Sequence, residues 1–250
     1  MHKKASSRAR IFGIDFLSLL WYNTLELRKG SKKMIDRDDS ILMLDTETAN
    51  DIDCPLVYDV GYQIFSLNDG VKCERSFVNA DIFDDEELMN SAYFKEKIPQ
   101  YIKDIADGKR KIAPWAYIKK VIASDCKKYN VKYACAHNAA FDNRALNVTQ
   151  RYQTTSKHRY FLPFGTTWLC TLKMCRQILK NNDSFGEFCY NNNYLTKRGC
   201  RRYTAEIIYR WLTNDTNFVE SHTGLEDVKI ERKIFEFCMS ENPEVDGKLW

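Results

Sequence analysis

Carboxylate side chains occur in three short, widely separated segments, and the first of them ends an apolar run. Residues 41–44 are apolar and lead directly into Asp45-Thr46-Glu47. Because successive side chains of a strand alternate between its faces, Asp45 and Glu47 are expected on the same side. Two such charges repel each other unless a cation lies between them, and their oxygens suit Mg²⁺ or Mn²⁺. The alternative is a strand end with two solvated acids, because charged side chains are mostly exposed.

The second segment joins a predicted strand to a predicted helix. The pattern indicates a strand over 131–136 and a helix that begins at Asn138, a residue type favoured at helix N-caps. Asp142 then falls at the start of the helix. At about 100° per residue, the positions within about 60° of Asp142 are Ala145, Leu146 and Thr149. Asp142 is therefore predicted to point inward. The alternative, an exposed acid that favours the helix dipole, does not explain that direction.

The third segment repeats this arrangement on a helix predicted to reach about Ser240. The positions within about 60° of Asp227 are Ile230, Ile234 and Cys238, so Asp227 heads an apolar stripe. The neighbouring Glu226 points away from that stripe. His222 lies five residues earlier and can reach a water held by the same metal. The alternative for His222 is a surface or capping residue, since histidine is often only partly buried.

The order Asp-x-Glu, then His-Asn-x-x-Phe-Asp, then His-x-x-x-x-Asp resembles the DEDDh exonuclease family over roughly 41–240. Its members include the proofreading epsilon subunit of bacterial DNA polymerase III, oligoribonuclease and RNase T. The resemblance implies a 3′→5′ exonuclease with two Mg²⁺ or Mn²⁺ ions. It also implies metal ligands and a general base at named positions, and contacts of neighbouring residues with nucleic acid. The implied ligands are Asp45, Glu47, Asp142 and Asp227, the base is His222, and the nucleic-acid contacts are Thr46, Thr48, Asn138 and Phe141.

Two features depart from the family pattern. Family members often have Thr-Gly after Asp-x-Glu-Thr, whereas Ala49 and Asn50 follow Thr48 here. The loop after Asp142, which runs through 157–159, is longer than in minimal members. Neither change affects an implied metal ligand, but both concern how a terminal nucleotide would be held.

The order of predicted elements indicates an α/β fold. Strands are predicted near 41–45, 57–67, 70–78, 131–136 and 166–171, and helices near 113–129, from Asn138, and near 172–181, 184–193, 203–213 and 224–240. Three early strands followed by alternating strands and helices predict a mixed five-stranded sheet flanked by helices in three layers. This matches the ribonuclease-H-like architecture that the resemblance implies. The predicted domains are an extension at 1–34, an exonuclease domain at 35–241 and a tail at 242–250.

Composition limits the class of protein. The net charge of +4 is mild, but Lys197, Arg198, Arg201 and Arg202 cluster and either neutralise substrate phosphates or form a solvated loop. Nine cysteines without tight pairing indicate buried thiols in a reducing, cytoplasmic setting. Zinc binding by Cys170, Cys175, Cys189 and Cys200 is disfavoured by their spacing. No apolar run approaches the roughly 18 residues of a membrane span, so no membrane partner is expected.

Several alternatives stay open. The extension at 1–34 is basic and then apolar, which superficially resembles a signal peptide but lacks a small-residue cleavage site. The alternatives are translation that starts at Met34 and an amphipathic docking helix at 11–27. The leading function is a DNA 3′-end exonuclease on single-stranded or duplex DNA, with a polymerase as an optional partner. An RNA-trimming enzyme is the runner-up, and a catalytically idle nucleic-acid-binding subunit is a third hypothesis. The residues around Thr204 and His222 hint at a viral or prophage gene.

Overall fold

A six-stranded mixed sheet forms the centre of the protein. The computed structural model describes residues 35–155 and 157–249. The sheet order is β4-β3-β2-β1-β5-β6, in which β1, β2 and β3 are antiparallel and each outer strand is parallel to its inner neighbour. The strands are β1 Ile41–Ala49, β2 Leu56–Ser66, β3 Gly70–Asn79, β4 Lys111–Ala113, β5 Tyr133–Ala136 and β6 Thr167–Cys170. The α/β class, the mixed sheet and the flanking helices are confirmed.

The predicted number of five strands is wrong because β4 was missed. This strand has three residues and pairs with the end of β3 at the sheet edge. So short a segment shows no alternating pattern of apolar and polar residues. The sequence pattern places its last residue, Ala113, in the following helix. Pro114 separates the two elements, and the helix begins at Trp115.

Helices cover both faces of the sheet, and the later ones agree closely with prediction. The helices are α1 Ala80–Phe83, α2 Glu86–Asn90, α3 Ile98–Ala106, α4 Trp115–Lys128, α5 Ala139–Tyr152, α6 Thr171–Leu179, α7 Asp183–Asn191, α8 Ala205–Thr213 and α9 Gly224–Glu241, with a short 3₁₀ turn at Lys95–Lys97. Their bounds lie within about two residues of the predictions from α4 onward, which is the usual uncertainty at helix ends.

Alternation along the central strands sorts the core into two layers. Ile41 and Met43 of β1 face a cluster that includes buried residues of α6, α7, α8 and α9. Leu42 and Leu44 face the opposite cluster, which includes buried residues of α4 and α5. Odd-numbered residues at the end of β1 therefore point towards α9, and even-numbered residues point towards α5.

The first turn of α9 lies directly on β2. A Cβ atom added to Gly61 would lie 2.0 Å from the Leu225 nitrogen and 2.1 Å from the Gly224 carbonyl carbon, so glycine is required for this approach. The Gly224 N–H also donates a 2.9 Å hydrogen bond to the buried Asp59 carboxylate. Gly61 is paired with Asp45 in the β1–β2 ladder. This contact consequently brings the start of α9 beside the acidic end of β1.

The C-terminal segment packs against the last strand. The Cys170 N–H donates to the Gly247 carbonyl at 2.8 Å, and the Leu249 N–H donates to the Trp168 carbonyl at 3.0 Å. Val245 is buried in the same cluster as α9. The predicted extension at 1–34 lies outside the described residues, and the domain boundaries stay predictions.

Within the part of the chain that the structure describes, no helix combines the length and the apolar character needed to cross a membrane.

Candidate active site

Asp45 and Glu47 point into one cavity, as their spacing predicts. Both side chains are partly buried on the face of β1 that meets α9, and both line a cavity of about 510 Å³. A bulge interrupts the β1–β2 pairing between Glu47 and Thr48. Thr48 is not among the residues that line the cavity. The acidic pair therefore marks the end of the regular strand and the edge of the cavity.

Asp142 reaches the cavity from the opposite layer. It lies in the first turn of α5, is 3% exposed, and its Oδ1 accepts a 2.9 Å hydrogen bond from the Thr46 hydroxyl. Its inward direction was predicted, and the predicted stripe of Ala145, Leu146 and Thr149 is buried. Burial raises the pKa of Asp142 to about 7. Because Thr46 is the even-numbered residue between the two acids, β1 contacts both layers at this point.

Asn138 begins α5 in an unexpected way. Its backbone is left-handed, with φ 71°, and its side chain makes no capping hydrogen bond. The expectation of a side-chain N-cap is therefore wrong, although the helix does start here; asparagine tolerates this conformation better than most residues. Asn138 and Phe141 both line the cavity.

Asp227 is held in place by the loop that precedes α9. Its Oδ2 accepts the Thr223 N–H at 3.0 Å, and its Oδ1 accepts the Ser221 hydroxyl at 3.1 Å. Burial, followed by the charge of Glu220, raises its pKa to about 8. Glu226 lies outside the cavity and instead accepts a 2.6 Å hydrogen bond from Arg110. Of the two adjacent acids, Asp227 is thus the one that faces the cavity.

His222 lines the same cavity as these acids. Its backbone is left-handed, with φ 52°, and its ring stacks on Phe94 with centroids 4.1 Å apart and planes at 11°. Ligand atoms of Glu47, His222 and Asp227 all lie within 4.8 Å of one another, and those of Glu206, Glu220 and His222 form a second such group. Burial lowers the pKa of His222, which favours the neutral imidazole.

Two further acids line the cavity that the sequence reasoning missed. Glu231 is 3% exposed and its carboxylate accepts the His137 backbone N–H, but its Oε2 has no hydrogen-bond partner among the described residues. It lies four positions after Asp227, about 40° away on the helix, so its helical position could have revealed it. Glu220 lies in a loop without periodicity, and burial raises its pKa to about 7.

This concentration of buried acids is electrostatically unfavourable when the acids are charged. Burial, the charge of Glu231 and the charges of Asp142, Glu47 and Asp227 raise the pKa of Asp45 well above its usual range. Burial and nearby carboxylates likewise raise the pKa of Glu47. Buried like charges of this kind are relieved by protons or by a metal ion. A donor set of carboxylate oxygens with one imidazole nitrogen fits a divalent ion such as Mg²⁺ or Mn²⁺.

Basic side chains line the side of the cavity formed by α6 and the segment before α8. Arg176 and Arg202 are exposed and line it. Arg201, which was predicted as part of the basic cluster, also lines the cavity, and it donates to the carbonyls of Leu179, Lys180 and Asn182. Lys197 and Arg198 are exposed and lie outside the cavity lining. The basic cluster is therefore divided between two arginines that line the cavity and two surface cations.

His137 and the cysteines have structural surroundings. The two ring nitrogens of His137 lie 2.9 Å from the Thr171 hydroxyl and 2.7 Å from the Tyr203 carbonyl. Burial lowers its pKa to about 4, so the ring is neutral. All nine cysteines are free thiols. No cysteine belongs to a group of three ligand atoms within 4.8 Å in the described ranges.

Comparisons with known proteins identify solved structures that have a similar fold. No family model and no curated protein matches the sequence. Among solved structures, exonuclease I from Methylocaldum szegediense aligns with a TM-score of 0.54 and 13% identity, over 83% of this chain and 42% of that chain. The zinc-bound E. coli ExoI–ssDNA complex aligns with a TM-score of 0.50 and 15% identity, over 83% and 42%. A 3′-exonuclease that recognises the histone mRNA stem-loop aligns over 92% and 74%, at 11% identity and a TM-score of 0.49.

The chain spans about two fifths of the length of the two exonuclease I structures, with 42% of each covered. At such identities the likeness concerns the fold alone. The chain shares the ribonuclease-H-like fold of these exonucleases.

Proposed function

We propose that this protein is a metal-dependent 3′→5′ exonuclease that hydrolyses the terminal phosphodiester bond of DNA. The observation that carries the proposal is that all five predicted site residues, from three distant segments, line one cavity. The residues are Asp45, Glu47, Asp142, His222 and Asp227. Their convergence involves two layers of the fold and does not follow from the fold class itself.

The carboxylates would hold two Mg²⁺ or Mn²⁺ ions. Asp45, Glu47 and Asp227 are the ligands proposed for one ion, and Asp45 with Asp142 for the other. When bound, such a pair of ions polarises the phosphate, stabilises the attacking and leaving oxygens and lowers the pKa of a bound water. Ser221 and Thr223 fix the Asp227 carboxylate by hydrogen bonds. Thr46 does the same for Asp142, so the two acids have defined orientations before any ion binds.

His222 is the proposed general base. It would take one proton from the attacking water as that oxygen bonds to phosphorus, while the bond between phosphorus and the 3′ oxygen of the penultimate nucleotide breaks. The leaving 3′ oxygen would take a proton from solvent, so the products are a nucleoside 5′-monophosphate and a strand one nucleotide shorter with a new 3′ hydroxyl. A base must be unprotonated to act, and burial lowers the pKa of His222. The stack on Phe94 restricts the orientation of the ring.

Arg176 and Arg202 would bind substrate phosphates, since they bring positive charge to a cavity that is otherwise acidic. Asn138 and Phe141 lie at its edge and would contact the terminal nucleotide, with Phe141 offering a surface for base stacking. Thr46 lines the cavity and donates a hydrogen bond to Asp142. Thr48 has no place in the cavity lining and so has the weakest support among the proposed nucleic-acid contacts.

The proposal is tested with single-stranded DNA, duplex DNA and RNA, each labelled at either the 5′ or the 3′ end and incubated with Mg²⁺ or Mn²⁺. We expect 5′-labelled DNA to shorten progressively and 3′-labelled DNA to release a labelled mononucleotide. Faster hydrolysis of RNA would assign the alternative substrate. Internal cleavage, or no hydrolysis with either metal, contradicts the proposal.

A matched pair of variants links the activity to the cavity. Asp227→Asn should abolish hydrolysis because it removes a cavity carboxylate. Glu226→Gln, one position away, should retain activity because Glu226 lies outside the cavity and the glutamine oxygen can still accept from Arg110 and from the Thr223 hydroxyl. Equal loss of activity in both variants would show that the activity does not depend on the cavity acids.

A further inference from the structure

Glu231 is a buried acid with one carboxyl oxygen that has no hydrogen-bond partner among the described residues. It is 3% exposed, and while one side of its carboxylate accepts the His137 N–H, Oε2 has no partner among the described residues. A buried charged oxygen without a partner is strongly unfavourable. An apolar residue at this helix position would avoid that penalty, so the retained acid suggests a ligand.

The residues that line the cavity include several acids whose charges act on Asp45. Glu47, Asp227 and His222 form one group with ligand atoms within 4.8 Å of one another. The charge of Glu231 is the strongest of the charges that raise the pKa of Asp45, and Asp142 is the strongest of those that act on Glu231. Glu231 lines the same cavity as Asp45 and Asp142, and its carboxyl is close enough for the charges of the three groups to act on one another.

In the proposed function, the ion held by Asp45 and Asp142 has few protein ligands. Asp45 and Asp142 alone supply two carboxylates, and Mg²⁺ in such sites keeps several water molecules. Those waters need acceptors, because groups that surround a metal ion orient and stabilise its ligands. The free Oε2 of Glu231 is an acceptor in the same cavity.

We propose that Glu231 is a fifth carboxylate of the metal site and accepts hydrogen bonds from water on the ion held by Asp45 and Asp142. The role is assigned through water because Asp45, Asp142 and Glu231 are not among the described groups with ligand atoms within 4.8 Å. This inference rests on the proposed function, since it assumes that the cavity binds divalent ions. Glu231 is thus a positioning residue.

The test measures Mn²⁺ binding by titration calorimetry and by the loss of the free Mn²⁺ signal in electron paramagnetic resonance. The variants are Glu231→Gln, which keeps the shape and removes the charge, and Glu231→Asp, which keeps the charge and withdraws it by one methylene. Glu241→Gln is the matched control, because Glu241 is an exposed acid at the far end of the same helix. Thermal unfolding in EDTA and in saturating Mg²⁺ is measured for each protein.

We expect wild-type protein and Glu241→Gln to bind two ions. In Glu231→Gln one ion should bind as in wild type and the other about 10- to 100-fold more weakly, the effect typical of groups around a metal ion. Its unfolding temperature in EDTA should not fall, since burial raises the pKa of Glu231 and the amide keeps the shape of the protonated carboxyl. Glu231→Asp should weaken the same ion by a smaller factor.

The failure of the proposed function and the failure of the role of Glu231 give different results. If wild-type protein binds no Mn²⁺, the proposed function fails together with this inference. If wild-type protein binds two ions and either folded Glu231 variant binds both with unchanged affinity, only the role of Glu231 is overturned. A lower unfolding temperature in EDTA for Glu231→Gln, with unchanged metal affinity, would show that the residue is structural.

Discussion

The metal-free protein should lose stability as pH rises between about 5 and 7, which is opposite to the behaviour of most acid-sensitive proteins. Asp142 and Asp227 have folded-state pKa values of about 7 and about 8, above the ordinary value of 3.8. An acid with a raised folded pKa binds its proton more tightly in the folded state. Its contribution to stability is therefore greatest below the unfolded pKa and is lost as pH rises towards the folded pKa.

The magnitude follows from the number of protons held. Between about pH 5 and pH 6.5 the folded protein keeps protons on both carboxyls, whereas the unfolded chain has lost them. Each such proton changes the free energy of unfolding by about 1.4 kcal/mol per pH unit, so the two acids lower it by about 2.7 kcal/mol per unit. For a protein of this size that corresponds to a fall in Tm of roughly 5–10 °C per pH unit.

The assay is thermal unfolding between pH 5 and pH 7 in EDTA and in saturating Mg²⁺. Tm should fall with pH in EDTA and should be much flatter in Mg²⁺, because the ions replace the protons. A double variant, Asp142→Asn with Asp227→Asn, is the control and should show a shallower fall in EDTA, while the other cavity acids with raised pKa values keep part of it. A Tm in EDTA that stays constant or rises from pH 5 to pH 7 would refute the argument that these acids repel one another in a buried cavity.

Three further predictions concern the base, the substrate contacts and the docking of α9. His222→Ala should lower turnover by about 10²- to 10⁴-fold. Its affinity for DNA, measured by fluorescence anisotropy in Ca²⁺, should stay near that of wild-type protein. A turnover near that of wild type would remove His222 from the mechanism. Arg202→Gln should reduce the slope of log affinity for single-stranded DNA against log salt concentration by about 0.7. Arg198→Gln, which lies outside the cavity, should leave that slope unchanged. Equal slopes for Arg202→Gln and wild-type protein would exclude the phosphate contact. Gly61→Ala should destabilise the fold by about 3 kcal/mol or more, measured by urea unfolding, because its Cβ would meet the Leu225 backbone at 2.0 Å; a variant as stable as wild type would contradict that close approach.

The parts of the site that could be predicted from sequence are those that depend on local periodicity. Strand alternation places Asp45 and Glu47 together, and helical periodicity turns Asp142 and Asp227 inward, as found. These directions are set within one element. The same reasoning distinguished Asp227 from Glu226, which lies outside the cavity.

Features that depend on contacts between distant elements could not be predicted. The Arg110 side chain, 5% exposed, binds both Asp59 of β2 and Glu226 of α9. Nothing near Arg110 in the sequence indicates these partners. Glu231 is a different case, because its helical position pointed inward and the sequence reasoning considered only the apolar members of that stripe. Strand β4 was missed because three residues carry no periodic signal.

We propose that acids from distant segments jointly hold a pair of divalent ions. Anomalous diffraction from crystals soaked in Mn²⁺ would locate these ions. We expect two peaks about 3.5–4 Å apart, both in contact with Asp45, one also contacting Glu47 and Asp227 and the other beside Asp142. Crystals that diffract well in excess Mn²⁺ and show no peak in this cavity would contradict the account.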